Sequence, residues 1–298
     1  MRMRMPETLR IPQCTGDGNM TQNAFGRQTL ALTSRELKHW YRKKMQVLMI
    51  IIQPLIWLGL IGKMLSGTIG PLIPVFFTVF ALGMVTVTAL TTAMSSGMSL
   101  IWDRKFGFLD KMCAAPISRG AILLSRVLAT TVKAVIQCTA VFVVGLALGM
   151  KISAFGPWSV PIALLAIIGV SFIFSTVFII FGMFMRVQES FMGINVLLML
   201  PIILVSGAIL PLNMMRSDGV FGDALLILAK CNPLTWASDA MRAAFMSEDA
   251  LHPIGMSWPS IMALPEIASG TIILMLMTVA VAILVWGMIL FERMLTSK

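Results

Sequence analysis

The sequence predicts an all-α integral membrane protein with six membrane-spanning helices and both termini in the cytoplasm. The chain of 298 residues is 58% hydrophobic and 12% charged, about half the charged fraction of a soluble domain. Its mean hydropathy is +0.90. Its apolar residues form six long runs, and most of its basic residues lie on one side of those runs. Together these observations predict a multi-pass protein of the cell membrane.

Each apolar run is long enough to cross a bilayer, which takes about 20 residues of helix. Prolines inside the runs are compatible with membrane helices, where neighbouring groups satisfy the released backbone atoms. The predicted spans are Met45–Met64, Pro71–Ile101, Gly120–Met150, Ser159–Met185, Phe191–Leu210 and Ile267–Phe291.

The basic residues predict the orientation of these spans. Sixteen Lys and Arg residues lie on the side of the N-terminus and of the loop between spans two and three, against five on the other side. Because positive residues are retained on the cytoplasmic side, both termini are predicted to be cytoplasmic.

The N-terminal region divides into two parts. Residues 1–23 are polar and irregular and are predicted to be disordered, whereas 24–298 form a single transmembrane domain. From Thr29 to Gln46, apolar and basic residues alternate at helical spacing, with Thr33 or Ser34 as the candidate N-cap. This pattern predicts an amphipathic helix at the membrane interface.

The segment between spans two and three carries both charged and large apolar residues. Charged residues of both signs, from Asp103 to Lys111, occur together with the apolar residues Phe106, Phe108, Leu109 and Met112. Such a mixture indicates a short helix, ended near Pro116, that binds a protein partner. A loop that lies on the membrane is the other interpretation.

Span two carries hydroxyl residues along one helical face. The face is either a packing seam between helices or the lining of a transport path. Its members are Thr88, Thr91, Thr92, Ser95, Ser96 and Ser99.

Span three carries Arg126, Lys133 and Gln137 on one face. Counting back about 20 residues from Met150 places Lys133 near the cytoplasmic interface and Arg126 outside the hydrocarbon. No carboxylate lies within a span except near its end, which argues against proton-coupled transport.

The segment between spans five and six is too apolar for a plain loop. Phe221–Lys230 is predicted to form a short helix, and Asn232 and Pro233 begin a second one. Asp239 and Arg242, three residues apart, are positioned to pair on that helix. Two short re-entrant helices at the outer mouth would serve as an external gate or as a structural lid.

Several function classes are excluded by what the sequence lacks. It contains no P-loop, no serine–histidine pair and no cysteine spacing typical of a metal site, so we predict no catalytic residues, no metal and no cofactor. The basic residues are not interleaved with aromatic ones, which argues against nucleic-acid binding.

Two motifs resemble the ABC-2 type permeases, particularly the daunorubicin-resistance-like branch. The first is WDRKFGFLDKMCAAPISRGAILLSR (Trp102–Arg126), and the second is SGAILPL (Ser206–Leu212) followed by NPLTWASDAMR (Asn232–Arg242). The resemblance implies two six-span subunits above two separate ATPase subunits, which bind ATP and Mg²⁺. It also implies that spans two and five border the export path.

The resemblance also implies roles for individual residues. Lys105 departs from the acidic residue common in the family, and the Pro-x-Trp stretch is absent near Arg216. The residues to which ATPase coupling is carried over are Asp103, Arg104, Phe106, Gly107, Leu109, Asp110, Pro116 and Arg119. The candidates for the translocation path are Thr88, Thr92, Ser95, Ser99 and Ser206. The candidates for the outer gate are Asn232, Pro233, Asp239 and Arg242.

The expected function is that of the permease subunit of an ATP-driven exporter. Its substrate would be an amphiphilic drug, a lipid or a glycan, and its partners would be two ATPase copies, a second permease copy and the lipid bilayer. Whether the permease pair is a homodimer or a heterodimer stays open. The alternative is a stand-alone secondary transporter or channel without an ATPase partner.

Overall fold

The computed structural model describes residues 22–70, 75–114, 117–185, 187–209, 220–247 and 269–296. Within these residues all regular structure is helical. The elements are α1 (Gln22–Arg42), α2 (Lys44–Ile56), a π-helix (Trp57–Gly62), α3 (Lys63–Ile69), α4 (Phe76–Lys105), α5 (Phe108–Ala114), α6 (Arg119–Ala147), α7 (Ser159–Phe184), α8 (Gln188–Val205), α9 (Val220–Cys231), α10 (Pro233–Phe245) and α11 (Ser269–Thr296).

Among the described residues, five helices are long and apolar enough to cross a membrane. These are α4, α6, α7, α8 and α11, and they correspond to predicted spans two to six. The protein is therefore a multi-pass membrane protein. The predicted first span falls in residues 44–69, where the π-helix separates α2 from α3.

The long helix α4 occupies the centre of the bundle. Its residues are buried almost all round, between α6, α7 and α10. A helix with apolar residues on every face is typical of such a position. One end of the bundle carries α1, α5 and the start of α6, and we call it the α5 end. The opposite end carries α9 and α10, and we call it the α10 end.

The contact between α4 and α7 depends on small residues. A Cβ atom at Gly97 would collide with the Phe178 carbonyl, and a Cβ atom at Gly182 would lie 2.8 Å from the Gly97 carbonyl oxygen. Ser96 Oγ lies 3.3 Å from the Ser175 carbonyl in the same contact. The two backbones therefore touch directly, and we call this contact the α4–α7 seam.

The N-terminal helix begins earlier than the sequence analysis predicted. Because α1 starts at Gln22, the predicted caps Thr33 and Ser34 lie in its middle. The Thr33 hydroxyl lies 2.8 Å from the Thr29 carbonyl and 3.2 Å from the Ser125 carbonyl of α6. The prediction of disorder over residues 1–23 falls outside the described residues, except for the last two, which belong to α1.

Candidate transport path and coupling segment

A cavity of about 620 Å³ lies beside α4 near the α5 end. Helices α1, α4, α6 and α8 surround it, and it extends along α4 from Asp103 to Thr91. Asp103 and Thr91 are twelve positions apart, which corresponds to about 18 Å along the axis of α4. The cavity combines polar side chains with methionine and tryptophan walls. This combination is typical of a binding site for a small molecule.

Three of the five predicted path residues line this cavity. Thr92, Ser95 and Ser99 face it from α4. Thr88 is buried within the bundle, where its hydroxyl donates to the Met84 carbonyl at 2.7 Å. Ser206 lies beyond the end of α8, at the α10 end, and donates to the Ile203 carbonyl at 2.7 Å. Thr88 and Ser206 are therefore not among the residues that line the cavity.

The hydroxyl residues of this face divide between two surroundings, the α4–α7 seam and the cavity. Ser96 belongs to the α4–α7 seam, whereas Thr91, Ser95 and Ser99 line the cavity. A helix places residues one position apart about 100° from each other, so adjacent residues reach different surroundings. The sequence pattern did not separate these two sides of α4.

Two ion pairs lie at the cavity. Lys133 Nζ of α6 is 3.1 Å from Glu36 Oε1 of α1, and the Arg126 guanidinium contacts the Asp103 carboxylate. Arg126 also donates to Ser99 Oγ at 2.9 Å and is only 6% exposed. Lys133 and Arg126 thus pair with carboxylates of α1 and α4. Neither partner was predicted from the sequence, because Asp103 and Glu36 lie far from Arg126 and Lys133 along the chain.

The environment of Glu36 favours its charged form. Burial by itself would raise the pKa of Glu36, but Lys133 and Arg126 nearby hold this pKa below its ordinary value. Glu36 therefore remains a carboxylate at neutral pH and keeps its bond to Lys133. The sequence analysis missed this residue because Glu36 and Lys133 are 97 positions apart.

The deep end of the cavity is polar and uncharged. Gln137 of α6 is fully buried there, and its Oε1 atom contacts the Thr92 hydroxyl. Its Nε2 atom is buried and has no hydrogen-bond partner among the described residues. Asn195 of α8 supplies a second amide to the lining. Asn195 escaped the sequence analysis because it is one amide in an apolar span, and nothing local shows what it faces.

The predicted coupling segment is divided by a turn. Helix α4 continues to Lys105, Phe106 and Gly107 form the turn, and α5 begins at Phe108. Gly107 has a φ of 64°, a conformation that side-chain-bearing residues rarely adopt. A short helix is thus present in this segment as α5, but Asp103, Arg104 and Lys105 belong to the end of α4, because the turn at Gly107 separates the two helices.

Most described coupling candidates face their own chain. Arg104 donates to the Met183 and Met185 carbonyls at 3.0 and 3.4 Å, and Leu109 is fully buried. Phe106 is 70% exposed and stacks on Trp102 with ring centroids 5.5 Å apart. The Asp110 side chain and Pro116 lie outside the described residues, and Arg119 begins α6.

Helix α1 fixes this segment from its other side. The Arg35 guanidinium lies 3.6 Å from the centroid of the Phe108 ring, a cation–π contact. The Gln28 side-chain oxygen accepts a hydrogen bond from the Ser118 backbone at 3.2 Å. Side chains of α1, α4, α6 and α7 all contact this segment, which fixes its position while Phe106 projects outward.

The predicted outer helices are present as α9 and α10. Asn232 caps α10 by accepting from Leu234 N at 3.0 Å, with Pro233 as the first helical residue. The predicted pair is confirmed, with Arg242 Nη1 lying 3.5 Å from Asp239 Oδ1 in the buried interior.

These helices are bonded to the end of α8. Asn232 Nδ2 donates to the Ile202 carbonyl at 2.8 Å. Arg242 Nη2 lies 2.8 Å from the Gly207 carbonyl and 3.2 Å from the Ala208 carbonyl. The turn after α8 is therefore fixed to α10, and a Cβ atom at Gly83 of α4 would collide with the same turn.

The chain is similar to known transport proteins over most of its length. A profile of the ABC-2 type transporter family matches residues 27–246. A chain of Cyanophora paradoxa described as transport permease ycf38 is 27% identical over 285 residues, 94% of this chain and 92% of that protein. Its counterpart from Porphyra purpurea is 28% identical over 228 residues, 74% of each chain.

A third relative is described as a doxorubicin resistance ABC transporter permease protein, DrrC, of Mycobacterium tuberculosis (strain CDC 1551 / Oshkosh). It is 27% identical over 146 residues, 44% of this chain and 49% of that protein. The family match spans α1, the cavity, the coupling segment and α10. The chain therefore belongs to the ABC-2 type transporter family and is a transport permease.

Proposed function

We propose that this chain is the membrane-spanning subunit of an ATP-driven exporter. Two copies would form the membrane unit in the cell membrane, with both termini and the α5 end in the cytoplasm. Two copies of a separate ATPase subunit would bind ATP and Mg²⁺ below them. The substrate would be an amphiphilic drug, a lipid or a glycan, moved outward. The family and the relative described as a doxorubicin resistance permease support this proposal.

The observation that carries the proposal is the arrangement at the α5 end. Exposed Phe106 and Trp102 lie next to each other on a segment that four helices hold in place. Exposed aromatic residues on a rigid support are typical of the central contacts of protein interfaces. Movement of a partner bound there would pass directly to α4, which lines the cavity.

The cavity supports the second part of the proposal. It lies near the α5 end, whereas hydrogen bonds from Asn232 and Arg242 fix the end of α8 at the opposite end. We infer an inward-facing path with its outer part closed. ATP-driven closure of the ATPase pair would then shift the two permease copies relative to each other and open the outer part.

The first experiment is a pull-down of the tagged protein from mild detergent, with identification of the proteins that co-purify. A P-loop ATPase of separate sequence, present in stoichiometric amount, is the expected result. A homo-oligomer without any ATPase, reproduced in nanodiscs, would contradict the proposal and support the stand-alone transporter or channel.

The coupling surface is tested by Phe106→Ala. Loss of an exposed aromatic contact at the centre of an interface costs at least about 1.4 kcal/mol, or about tenfold in affinity. We therefore expect the variant to insert normally but to bind the ATPase at least about tenfold more weakly. Phe155→Ala is the matched control, because Phe155 is similarly exposed, at 69%, but lies at the α10 end. Equal ATPase binding by the two variants would contradict the docking assignment.

A further inference from the structure

We propose that the cavity selects an amphiphile whose buried polar group is uncharged, such as a hydroxyl, an ester or an amide, and that Gln137 binds this group. The inference rests on the proposed function of the cavity as part of the transport path, and it names the class of substrate. It is carried by the unsatisfied amide of Gln137 and by the distribution of charge along the cavity.

One end of the Gln137 side-chain amide has no hydrogen-bond partner among the described residues. The side chain is fully buried, lines the cavity and uses one end of its amide on Thr92. The Thr92 hydroxyl also lies 2.8 Å from the Thr88 carbonyl, and its single proton can be donated to only one of these two oxygens. If that proton goes to Thr88, the Gln137 amide is turned over and donates its N–H to the Thr92 oxygen. In either orientation the other end of the amide lacks a partner among the described residues.

A buried amide without a partner is costly, and a ligand would remove that cost. A ligand group with hydrogen-bonding capacity would satisfy the free end of the amide, and one such hydrogen bond favours binding by about fivefold. Hydroxyl groups both donate and accept, and ester and amide groups accept, so each can bind one orientation of the Gln137 amide.

The charges of the cavity exclude an ion at this depth. Lys133 is bound to Glu36, and Arg126 is bound to Asp103. Gln137 contacts the neutral Thr92, and Lys133, the charged lining residue one turn away on α6, is already bound to Glu36. An ionised ligand group beside Gln137 would therefore lose its hydration without gaining a counter-ion that is not already paired.

The entrance differs from the deep end. His39 and Lys43 line the cavity there and are solvent-exposed. An anionic head group would find its counter-ion at Lys43 rather than beside Gln137. A head group beside Gln137 predicts a preference for neutral ligands, whereas a head group at Lys43 predicts a preference for anionic ones. Probes that differ only in the charge of the head group distinguish these two arrangements.

The apolar side chains that line the cavity can accommodate an apolar ligand group of variable shape. Met94, Met98, Met192 and Trp40 line the cavity. Methionine side chains adapt to different partners because they are unbranched and flexible. The volume lies within the range of about 300–1,000 Å³ typical of small-molecule sites. A single-chain amphiphile is therefore a suitable probe.

The experiment compares three photoreactive probes with the same alkyl chain, applied to the purified protein in nanodiscs. They are a neutral monoacylglycerol, an anionic lysophosphatidic acid and a cationic alkylammonium. Cross-linked peptides are then identified by mass spectrometry. We expect the monoacylglycerol to label peptides of α4, α6 and α8 that line the cavity, at least about fivefold more than either ion, as one hydrogen bond would give.

The anchoring residue is tested by Gln137→Leu, which should lower labelling by the monoacylglycerol about fivefold. Gln53→Leu is the control, because Gln53 is exposed on α2, outside the cavity lining. Thr92→Val gives a second test that preserves the glutamine, and it should also lower labelling. If Gln137→Leu does not fold, the labelling of Thr92→Val tests the inference by itself.

Two outcomes would overturn the inference. Stronger cavity labelling by lysophosphatidic acid, lost in Lys43→Ala, would assign the site to an anionic head group. Equal labelling of the wild type, Gln137→Leu and Thr92→Val would remove Gln137 as the anchor. Neither result depends on the ATPase. The pull-down can therefore establish the exporter even if the probe test fails, and the probe test can establish the ligand class even if no ATPase co-purifies.

Discussion

The ion pair between Asp103 and Arg126 joins the end of α4 to the start of α6. The Arg126 side chain is almost inaccessible to solvent, whereas the Asp103 side chain is 23% exposed. A guanidinium at such a site needs a partner, because its hydration is lost on folding. Ser99 supplies a further acceptor at 2.9 Å. The pair therefore fixes the relative positions of the two helices that flank the coupling segment.

Replacing only one partner of this pair should destabilise the protein. Asp103→Leu leaves Arg126 buried without its carboxylate, at a cost of about 2 kcal/mol, between the values for exposed and fully buried pairs. The double variant Asp103→Leu/Arg126→Met should recover most of that stability, because no charge remains buried. Thermal unfolding in detergent measures both changes.

Asp223→Leu is the control for this prediction, because Asp223 is exposed on α9. It should leave the unfolding temperature nearly unchanged. If the single and double variants at Asp103 and Arg126 unfolded at the same temperature, the charge pair would not be what stabilises this contact.

At the scale of elements, α1 is bound to the bundle by polar contacts with α6 and its preceding loop. Thr33 contacts the Ser125 carbonyl, Glu36 binds Lys133, and the side chain of Gln28 accepts from Ser118 N. These contacts are distributed over more than two turns of α1, so the helix is attached along its length. The Glu36–Lys133 bond is the one that responds to pH.

Acidification should loosen α1. A carboxylate with a lowered pKa in the folded state stabilises the fold above its unfolded-state pKa, and this contribution is lost as pH falls through the folded-state value. For Glu36 the loss should therefore occur below about pH 4.5, the ordinary pKa of a glutamate. Hydrogen exchange of residues 25–42, corrected for intrinsic rates, should show protection that decreases below that pH.

The variant Glu36→Gln provides the comparison for this prediction. It should be less protected than the wild type at pH 6 and should change less on acidification. Lys133, Arg126 and Arg35 are the cations near Glu36. The same pH response in both proteins would show that another group controls α1.

For the whole molecule, the α4–α7 seam is a contact that leaves no room for an added methyl group. Gly97→Ala would place a methyl group against the Phe178 carbonyl, so we expect a loss of about 1–3 kcal/mol in the free energy of unfolding. Gly193→Ala on α8 should be neutral or stabilise by up to about 1 kcal/mol, because open space surrounds it. Thermal unfolding of the two alanine variants tests this contrast, and equal effects would contradict it.

Local signals predicted a large part of this structure. Five spans and the start of α10 at Asn232 and Pro233 follow from residues close together in sequence, and so does the Asp239–Arg242 pair. Features that join distant segments did not follow. The Glu36–Lys133 bond joins residues 97 positions apart, and the partners of Arg126 depend on how α4 meets α6.

The same limit applies to the cavity. A face of Thr and Ser residues suggested a path, but only the arrangement of neighbouring helices separates the lining residues from the seam residues. The turn at Gly107 was missed for another reason, since the apolar residues on both sides of it continue the helical pattern. Glycine in such a run is compatible with either a helix or a turn.

The π-helix at Trp57 to Gly62 has a mechanical consequence. It follows Pro54, and π-turns and prolines are both common sites of helix kinks. Helix α2 contacts α1, α4 and α6, whereas the π-helix and α3 contact α4. Residues 44–69 thus form two α-helical segments joined at a site where helices bend readily. Displacement of α1 would bend the chain at this site before it moved α3, whereas α4 is uninterrupted from Phe76 to Lys105 and would transmit displacement along its whole length.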